Sequence, residues 1–250
     1  MDKSAVYDSH VHFQIASGAF PDDGPHWYGC CCATGPDDWE TTLHVSGKLP
    51  GAVPYLGVHP WFIDGDIEQV LEKLESLLST QHTAGVGEIG LDGFRAESPV
   101  EIQRKWFGRQ MKLAVTYKRP VSIHCVRCWG PLIEELSALP DPLPPFLVHG
   151  FNGSREIMER IISLGGMVSF SPFSLRGKSG KSASNLAAVQ DEHFLLDTDF
   201  PYALHQPFGE YPGLLSALYE TAAKLRGTTT DDIAYTLGLN MKPFLPGAVK

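Results

Sequence analysis

Short apolar runs alternate with helix-periodic segments along most of this chain, the rhythm of βα units around a parallel sheet. Eight runs read as strands: residues 6–12, 27–33, 52–59, 84–88, 120–124, 146–149, 167–170 and 194–197. After the third run, Ile67, Val70, Leu71, Leu74, Leu77 and Leu78 recur at helical spacing, with Glu68, Glu72, Lys73 and Glu75 filling the other face. Ser98-Pro99-Val100-Glu101 predicts a helix start, with Ser98 as cap and Pro99 in the first turn, and the helix continues to Tyr117. Further helices are expected over 131–138, over 155–164 (capped by Ser154 and ended by Gly165-Gly166), over 214–226 and over 230–238. Residues 140–145 are a proline-rich loop, and the Gly/Ser-rich stretch after the seventh run is another. Eight strands separated mostly by helices predict an α/β fold of the (β/α)8 TIM-like barrel type, one domain over residues 1–250. In such barrels the active site lies at the C-terminal ends of the strands.

Those ends carry the polar chemistry. In Tyr7-Asp8-Ser9-His10-Val11-His12, strand alternation points His10 and His12 to one face, with Asp8 behind them. His59, Glu88, His124, His149 and Asp199 each end, or lie just past, an apolar run. Imidazoles and carboxylates in such places are costly unless paired or metal-bound. Satisfied core histidines account for one or two of them, and an isolated His-x-His reads as readily that way. Five histidines and two acids gathered at one barrel mouth fit metal binding better. The donor set is nitrogen and oxygen without an obvious thiolate, which suits zinc, manganese or magnesium. These seven candidates exceed one tetrahedral centre, whereas two divalent ions bridged by a carboxylate and a water use six ligands of this kind.

Composition narrows the class. With 250 residues, 43% of them hydrophobic, the chain can bury a substantial core. A net charge of −9 leaves no general basic surface and argues against a non-specific nucleic-acid binder. It does not exclude an enzyme whose metal ions meet the phosphate. No run approaches the roughly 20 apolar residues of a membrane span. Residues 1–5 lead straight into the first strand without room for a signal peptide, so a cytoplasmic protein is expected, and a monomer. Three of the five cysteines, Cys30, Cys31 and Cys32, are consecutive and read as small apolar residues of a buried strand in a reducing compartment. Cys125 and Cys128 have the spacing of a redox or zinc pair, but without a second pair the structural reading is preferred.

At these residues the chain resembles the TatD family of metal-dependent hydrolases and deoxyribonucleases, over nearly its whole length from Asp8 to Phe244. The matching blocks are Asp8-Ser9-His10-Val11-His12-Phe13, Gly57-Val58-His59-Pro60, Val86-Gly87-Glu88-Ile89-Gly90-Leu91-Asp92, Pro120-Val121-Ser122-Ile123-His124, His149-Gly150-Phe151-Asn152-Gly153-Ser154 and Leu196-Asp197-Thr198-Asp199-Phe200-Pro201-Tyr202. Five or more such blocks in the right order are specific. The resemblance implies a two-metal site in which His10, His12 and Asp199 hold one ion, His124 and His149 the other, and Glu88 bridges them. It implies that His59 contacts the substrate phosphate and that Asp199 also orients or deprotonates the attacking water. It further implies phosphodiester hydrolysis, 3′→5′ on DNA in some members.

Three departures from the family pattern bear on substrate handling more than on metal binding. Asp197 stands where the family usually has Glu. The Arg-Asp expected soon after the strand-five histidine is replaced by Cys125-Val126-Arg127-Cys128, which leaves Arg127 as a displaced substrate contact. The segment 203–208 lacks the usual basic and polar pattern. Asp92 reads equally as a residue supporting the site or as a turn former. Arg95, Arg176, Lys178 and Lys181 read first as solvated loop charges, with phosphate contacts around the mouth as the alternative, and Trp61, Phe62 and Trp129 offer rings that either stack on bases or pack the rim. His26, His44, His82, His193 and His205 have no constellation around them. Two rival functions remain at this point: a two-metal hydrolase of another ester or an amide, and a non-catalytic scaffold that keeps the barrel.

Overall fold

The structure, a computed structural model, describes residues 5–16, 26–202 and 208–247. Eight parallel strands follow one another in chain order around one sheet. They are β1 Val6–Val11, β2 Trp27–Cys32, β3 Ala52–Leu56, β4 Gly85–Asp92, β5 Val121–Val126, β6 Phe146–Val148, β7 Met167–Phe170 and β8 Phe194–Leu196. The ring closes just beyond β8. The His12 N–H donates to the Phe200 carbonyl at 2.7 Å, the Asp199 N–H donates to the His10 carbonyl at 3.1 Å, and Val11 bridges to Phe200 in parallel. This is the barrel the alternating pattern predicts, with a helical crossover between each pair of neighbouring strands from β2 to β8.

The helices are α1 Trp39–Lys48, α2 Ile67–Thr80, α3 Val100–Tyr117, α4 Trp129–Ser137, α5 Arg155–Ser163, α6 Pro172–Leu175, α7 Lys181–Ala188, α8 Tyr211–Arg226 and α9 Thr230–Asn240. α2 buries Leu71, Leu74 and Leu78, the stripe visible in its sequence, and Asp66 caps it by accepting the Glu68 N–H at 3.0 Å. Ser154 caps α5 as expected, accepting the Ile157 N–H at 3.4 Å. Among the described residues, no helix is long and apolar enough to cross a membrane.

Several boundaries differ from the expectation, each for a physical reason. Ser98 does not cap α3. Pro99 occupies the cap position, and the Ser98 carbonyl accepts the Gln103 amide at 2.7 Å. α1 has no counterpart in the hydrophobic pattern, because two of its three buried residues, Thr42 and Ser46, are polar and only Trp39 is apolar. α7 likewise occupies part of the stretch read as a loop, turning Ser182, Asn185 and Leu186 inward. β4 continues past Glu88 to Asp92, and β5 past His124 to Val126, so these two residues sit inside their strands. There Gly90 pairs with His124 and Asp92 with Val126. The pairing of β4 with β5 shifts register between Val86 and Ile89, around Glu88. Such irregularities re-aim side chains next to active sites.

Gly90 shows how tightly this region is built. A Cβ at position 90 would lie 2.0 Å from the His124 carbonyl oxygen, a backbone atom that cannot swing away. Gly90→Ala is expected to destabilise the fold by about 2–4 kcal/mol, measured by denaturant unfolding, because the clash can be relieved only by parting β4 from β5. A loss below about 0.5 kcal/mol, the usual range for a substitution away from such features, would contradict this packing.

Candidate metal centre

The barrel gathers the predicted side chains at its C-terminal mouth around Glu88, which is only 3% exposed. Its Oε2 lies 3.2 Å from His10 Nε2 and 3.3 Å from His12 Nε2. Its Oε1 lies 2.7 Å from His149 Nε2, 3.0 Å from His124 Nδ1 and 3.4 Å from His59 Nε2. The five imidazoles are thus divided between the two oxygens of one carboxylate. Asp199 Oδ1 stands 3.4 Å from His12 Nε2. Three sets of donor atoms each fall within 4.8 Å of one another: His10, His12 and Asp199; His10, Glu88 and His149; and His59, Glu88 and His124. His124 and His149 do not form a set of their own, but each meets Glu88, and both are nearest its Oε1.

The far side of most of these rings is held by oxygen. His12 Nδ1 donates to the Cys32 carbonyl at 2.7 Å, His10 Nδ1 meets the Ser122 hydroxyl at 2.8 Å, and His124 Nε2 faces Asp92 Oδ2 at 3.2 Å. Anchoring one nitrogen fixes the ring and aims the other nitrogen inward. His59 Nδ1 instead accepts the Trp61 backbone N–H at 3.1 Å, and of the five rings His149 is the one left unheld. Its Nδ1 and Asp197 Oδ1 are 3.9 Å apart, and both are buried without a hydrogen-bond partner. The other Asp197 oxygen accepts the Ser169 hydroxyl and the Gly150 N–H, so the short Asp side chain is anchored on the barrel wall.

Two further acids brace the site without facing its centre. Asp8 accepts the Thr198 hydroxyl at 2.6 Å, the Thr198 N–H at 3.0 Å and the Tyr211 hydroxyl at 3.0 Å, which ties β1 to the segment that carries Asp199. Burial pushes its carboxyl up to about 7. Asp92 does both things its sequence context suggested. It holds His124 and the Trp61 indole (2.6 Å) through Oδ2, while Oδ1 accepts the N–H groups of Phe94 and Arg95 at 2.6 and 2.8 Å and shapes the turn.

Burial opposes every charge here, yet the neighbours outweigh it at several groups. The facing imidazoles, the raised His149 among them, hold the Glu88 carboxyl well below the usual range. Hydrogen bonds to Asp199 and Glu88 raise His12 to about 9, and Glu88 and Asp197 raise His149 well above its ordinary value. Burial wins at His10 and His59, which both fall to about 4. An ionised carboxylate ringed by imidazoles that carry its compensating protons is a place where a cation can take over from those protons. The rings enclose a space of about 40 Å3, more than the roughly 10–15 Å3 that one water needs. Nitrogen and oxygen donors, oriented rings and this space all fit divalent metal.

Outside the centre lie two larger cavities, both lined in part by Trp61. One of about 650 Å3 reaches from His124, His149 and Asp199 out to Phe94, Arg95, Phe173 and Tyr202. The other, of about 800 Å3, is lined by Asp37, Asp38, Asp64 and Glu97, with Phe62 on its wall. Arg127 is exposed and stacks on Phe94 with 4.2 Å from Cζ to the ring centroid. Arg176, Lys178 and Lys181 are exposed and line neither cavity. Trp129 packs on Phe151, 5.1 Å between centroids, as rim packing. The unusual segment after Tyr202 lies, over residues 203–207, outside the described residues. The Cys125 and Cys128 thiols are free and buried, and burial pushes both up, away from the thiolate that redox or zinc chemistry needs. Sequence reading missed Ser122, Phe94, Phe173 and Tyr202, whose ring lies edge-on to His12 at 4.7 Å. Of these, Ser122 and Tyr202 fall inside quoted motif blocks, which was the available signal.

The family model described as TatD related DNase matches residues 7–246. The chain belongs to the TatD-related DNase family. A metal-dependent hydrolase is therefore its enzyme class. The crystal structure of the TatD homologue YjjV from Escherichia coli K12 superposes with a TM-score of 0.81 at 25% identity, covering 96% of this chain and 97% of that one. In sequence, YjjV, named an uncharacterized metal-dependent hydrolase, is 28% identical over 82% of this chain and 81% of its own length. A protein of Edwardsiella piscicida named 3′-5′ ssDNA/RNA exonuclease TatD is 32% identical over 65% of this chain and 63% of its own length. The chain thus spans less than two thirds of that exonuclease.

The raised groups give this TatD-family site a pH dependence. Without metal, His12 keeps its proton until about pH 9 and His149 is also raised, so metal must displace those protons. Metal affinity is expected to rise with pH between 6 and 9, with net proton release on binding. Isothermal titration with manganese in buffers of different ionisation heat measures this. Affinity and heat that do not change with pH or buffer would contradict it.

Proposed function

We propose that this chain is a two-metal nuclease that hydrolyses phosphodiester bonds of single-stranded nucleic acid, DNA in the first instance, in the 3′→5′ direction. Residues 1–250 are read as one catalytic domain. The observation that carries the proposal is Glu88, whose two oxygens face different groups of imidazoles. The relatives named as 3′-5′ ssDNA/RNA exonucleases support the substrate class. In this reading His10, His12 and Asp199 hold one divalent ion, His124 and His149 the other, and Glu88 spans both. Magnesium, manganese or zinc suits these donors. When bound, such ions polarise the phosphate and lower the pKa of water.

The remaining steps belong to side chains. Trp61 N–H donates to His59 Nδ1 at 3.1 Å, and burial keeps the ring uncharged at neutral pH. Its proton therefore resides on Nε2, where it can be donated to a phosphate oxygen. Asp199 has the most open carboxylate of the centre, 27% exposed against 4% for Glu88. Its backbone sits in the left-handed region at φ 51°, held by the hydrogen bond to His10. Strain of this kind persists where the surroundings over-determine it, as they do at active sites. From that position Asp199 orients the attacking water and takes its proton. Arg127, on the rim, meets phosphates farther along the strand.

The test is a 5′-labelled single-stranded oligonucleotide incubated with magnesium, manganese or zinc. The expected result is a ladder shortening from the 3′ end that requires added metal and falls by about a thousandfold in Glu88→Gln. His10→Ala and Asp199→Asn are expected to lose metal and hydrolysis with the circular dichroism spectrum of a folded barrel. Wild-type activity in Glu88→Gln would overturn the proposal. Bound metal without cleavage of any strand would direct the enzyme to other esters or amides.

A further inference from the structure

Phe94 and Phe173 are 60% and 68% exposed, more open than most large apolar side chains among the described residues. They come from separate sectors of the barrel, Phe94 just past β4 and Phe173 on α6 after β7. Both nevertheless line the cavity of about 650 Å3 that opens from His124, His149 and Asp199. Exposed apolar rings gathered at one cavity mark a binding surface. Cations flank them: Arg127 stacks on Phe94 at 4.2 Å, and Arg95 lies over Trp61 at 5.3 Å. Rings for bases and guanidinium groups for phosphates are the two components of a single-strand groove. The other cavity, which Trp61 also lines, carries Asp37, Asp64 and Glu97, which repel phosphate, whereas the acids of the first, Asp92 and Asp199, belong to the centre itself.

We propose that Phe94 and Phe173 form a base-stacking subsite that holds unpaired nucleobases beside the phosphate to be cleaved. The cleft selects single strands, because duplex bases are stacked on one another and present no free face to these rings. The strand leaves the centre on the Phe94 side, away from the acidic cavity. This inference rests on the nuclease reading and adds to it the residues that set strand specificity.

The experiment compares wild type, Phe94→Leu/Phe173→Leu and Phe94→Trp/Phe173→Trp on two strands of equal length, one with bases and one an abasic tract. Both positions are exposed, so neither double variant threatens the core. On the strand with bases, the leucine pair is expected to raise KM by about 10- to 100-fold with kcat nearly unchanged, and the tryptophan pair to keep a low KM. The abasic tract is expected to have the high KM in all three proteins. KM values for the leucine pair within about twofold of wild type, or an abasic tract handled like the normal strand, would overturn the subsite. Equilibrium binding of a 2-aminopurine oligonucleotide separates this failure from failure of the nuclease reading. Binding lost in the leucine pair and kept in the tryptophan pair, without cleavage, supports the subsite and removes the nuclease. Equal binding by all three proteins, or none by any, overturns the subsite itself.

Discussion

The fixed point of this structure is a buried carboxylate. Glu88 is 3% exposed, and a charge in that position costs several kcal/mol unless it is compensated. Compensation comes from five histidines carried by the ends of β1, β3, β5 and β6, with Asp199 beyond them. Without a cation, protons on the raised His12, His124 and His149 balance the charge, while His10 and His59 stay uncharged at neutral pH. The same donors, with the same orientation, suit divalent metal. One requirement, neutralising Glu88, therefore explains why so many polar residues converge at the end of otherwise apolar strands.

Around that centre, a layer of supporting groups keeps the rings aimed. The Cys32 carbonyl, Ser122 and Asp92 each hold the outer nitrogen of a histidine. Asp8, Thr198 and Tyr211 link the first strand to the last, where the barrel closes. Asp197 stands where the resemblance expects Glu, and its Oδ1 lies 3.9 Å from His149 Nδ1, with neither atom hydrogen-bonded. The two outer cavities differ in charge: Phe94, Phe173 and Arg95 line one, while Phe62 and the acids Asp37, Asp64 and Glu97 line the other.

The sequence made the barrel legible because buried parallel strands read as continuous apolar runs, and the site legible because those runs end in imidazole or carboxylate. Strand alternation put His10 and His12 on one face, and both meet Glu88 Oε2 although β1 ends at Val11. What escaped was whatever the hydrophobic pattern does not encode. α1 turns Thr42 and Ser46 inward, and α7 turns Ser182 and Asn185 inward, so neither shows an apolar stripe. β4 and β5 extend beyond Glu88 and His124 because pairing at Gly90 and Asp92 continues the ladder past the functional residue. Phe94 and Phe173 are far apart in sequence, and only the closing of the barrel brings them to one cavity. Ser98 lost its capping role to competition: its carbonyl is engaged by Gln103, and Pro99 takes the cap position.

The decisive quantity is the metal content of the wild-type protein and of Glu88→Gln after loading with manganese and removal of free ion, read by elemental analysis against protein concentration. A carboxylate that spans two ions requires about two per wild-type chain, with at least one lost when Glu88 becomes Gln. Two ions retained undiminished in Glu88→Gln, or a single ion in both proteins, would contradict a centre organised around this residue.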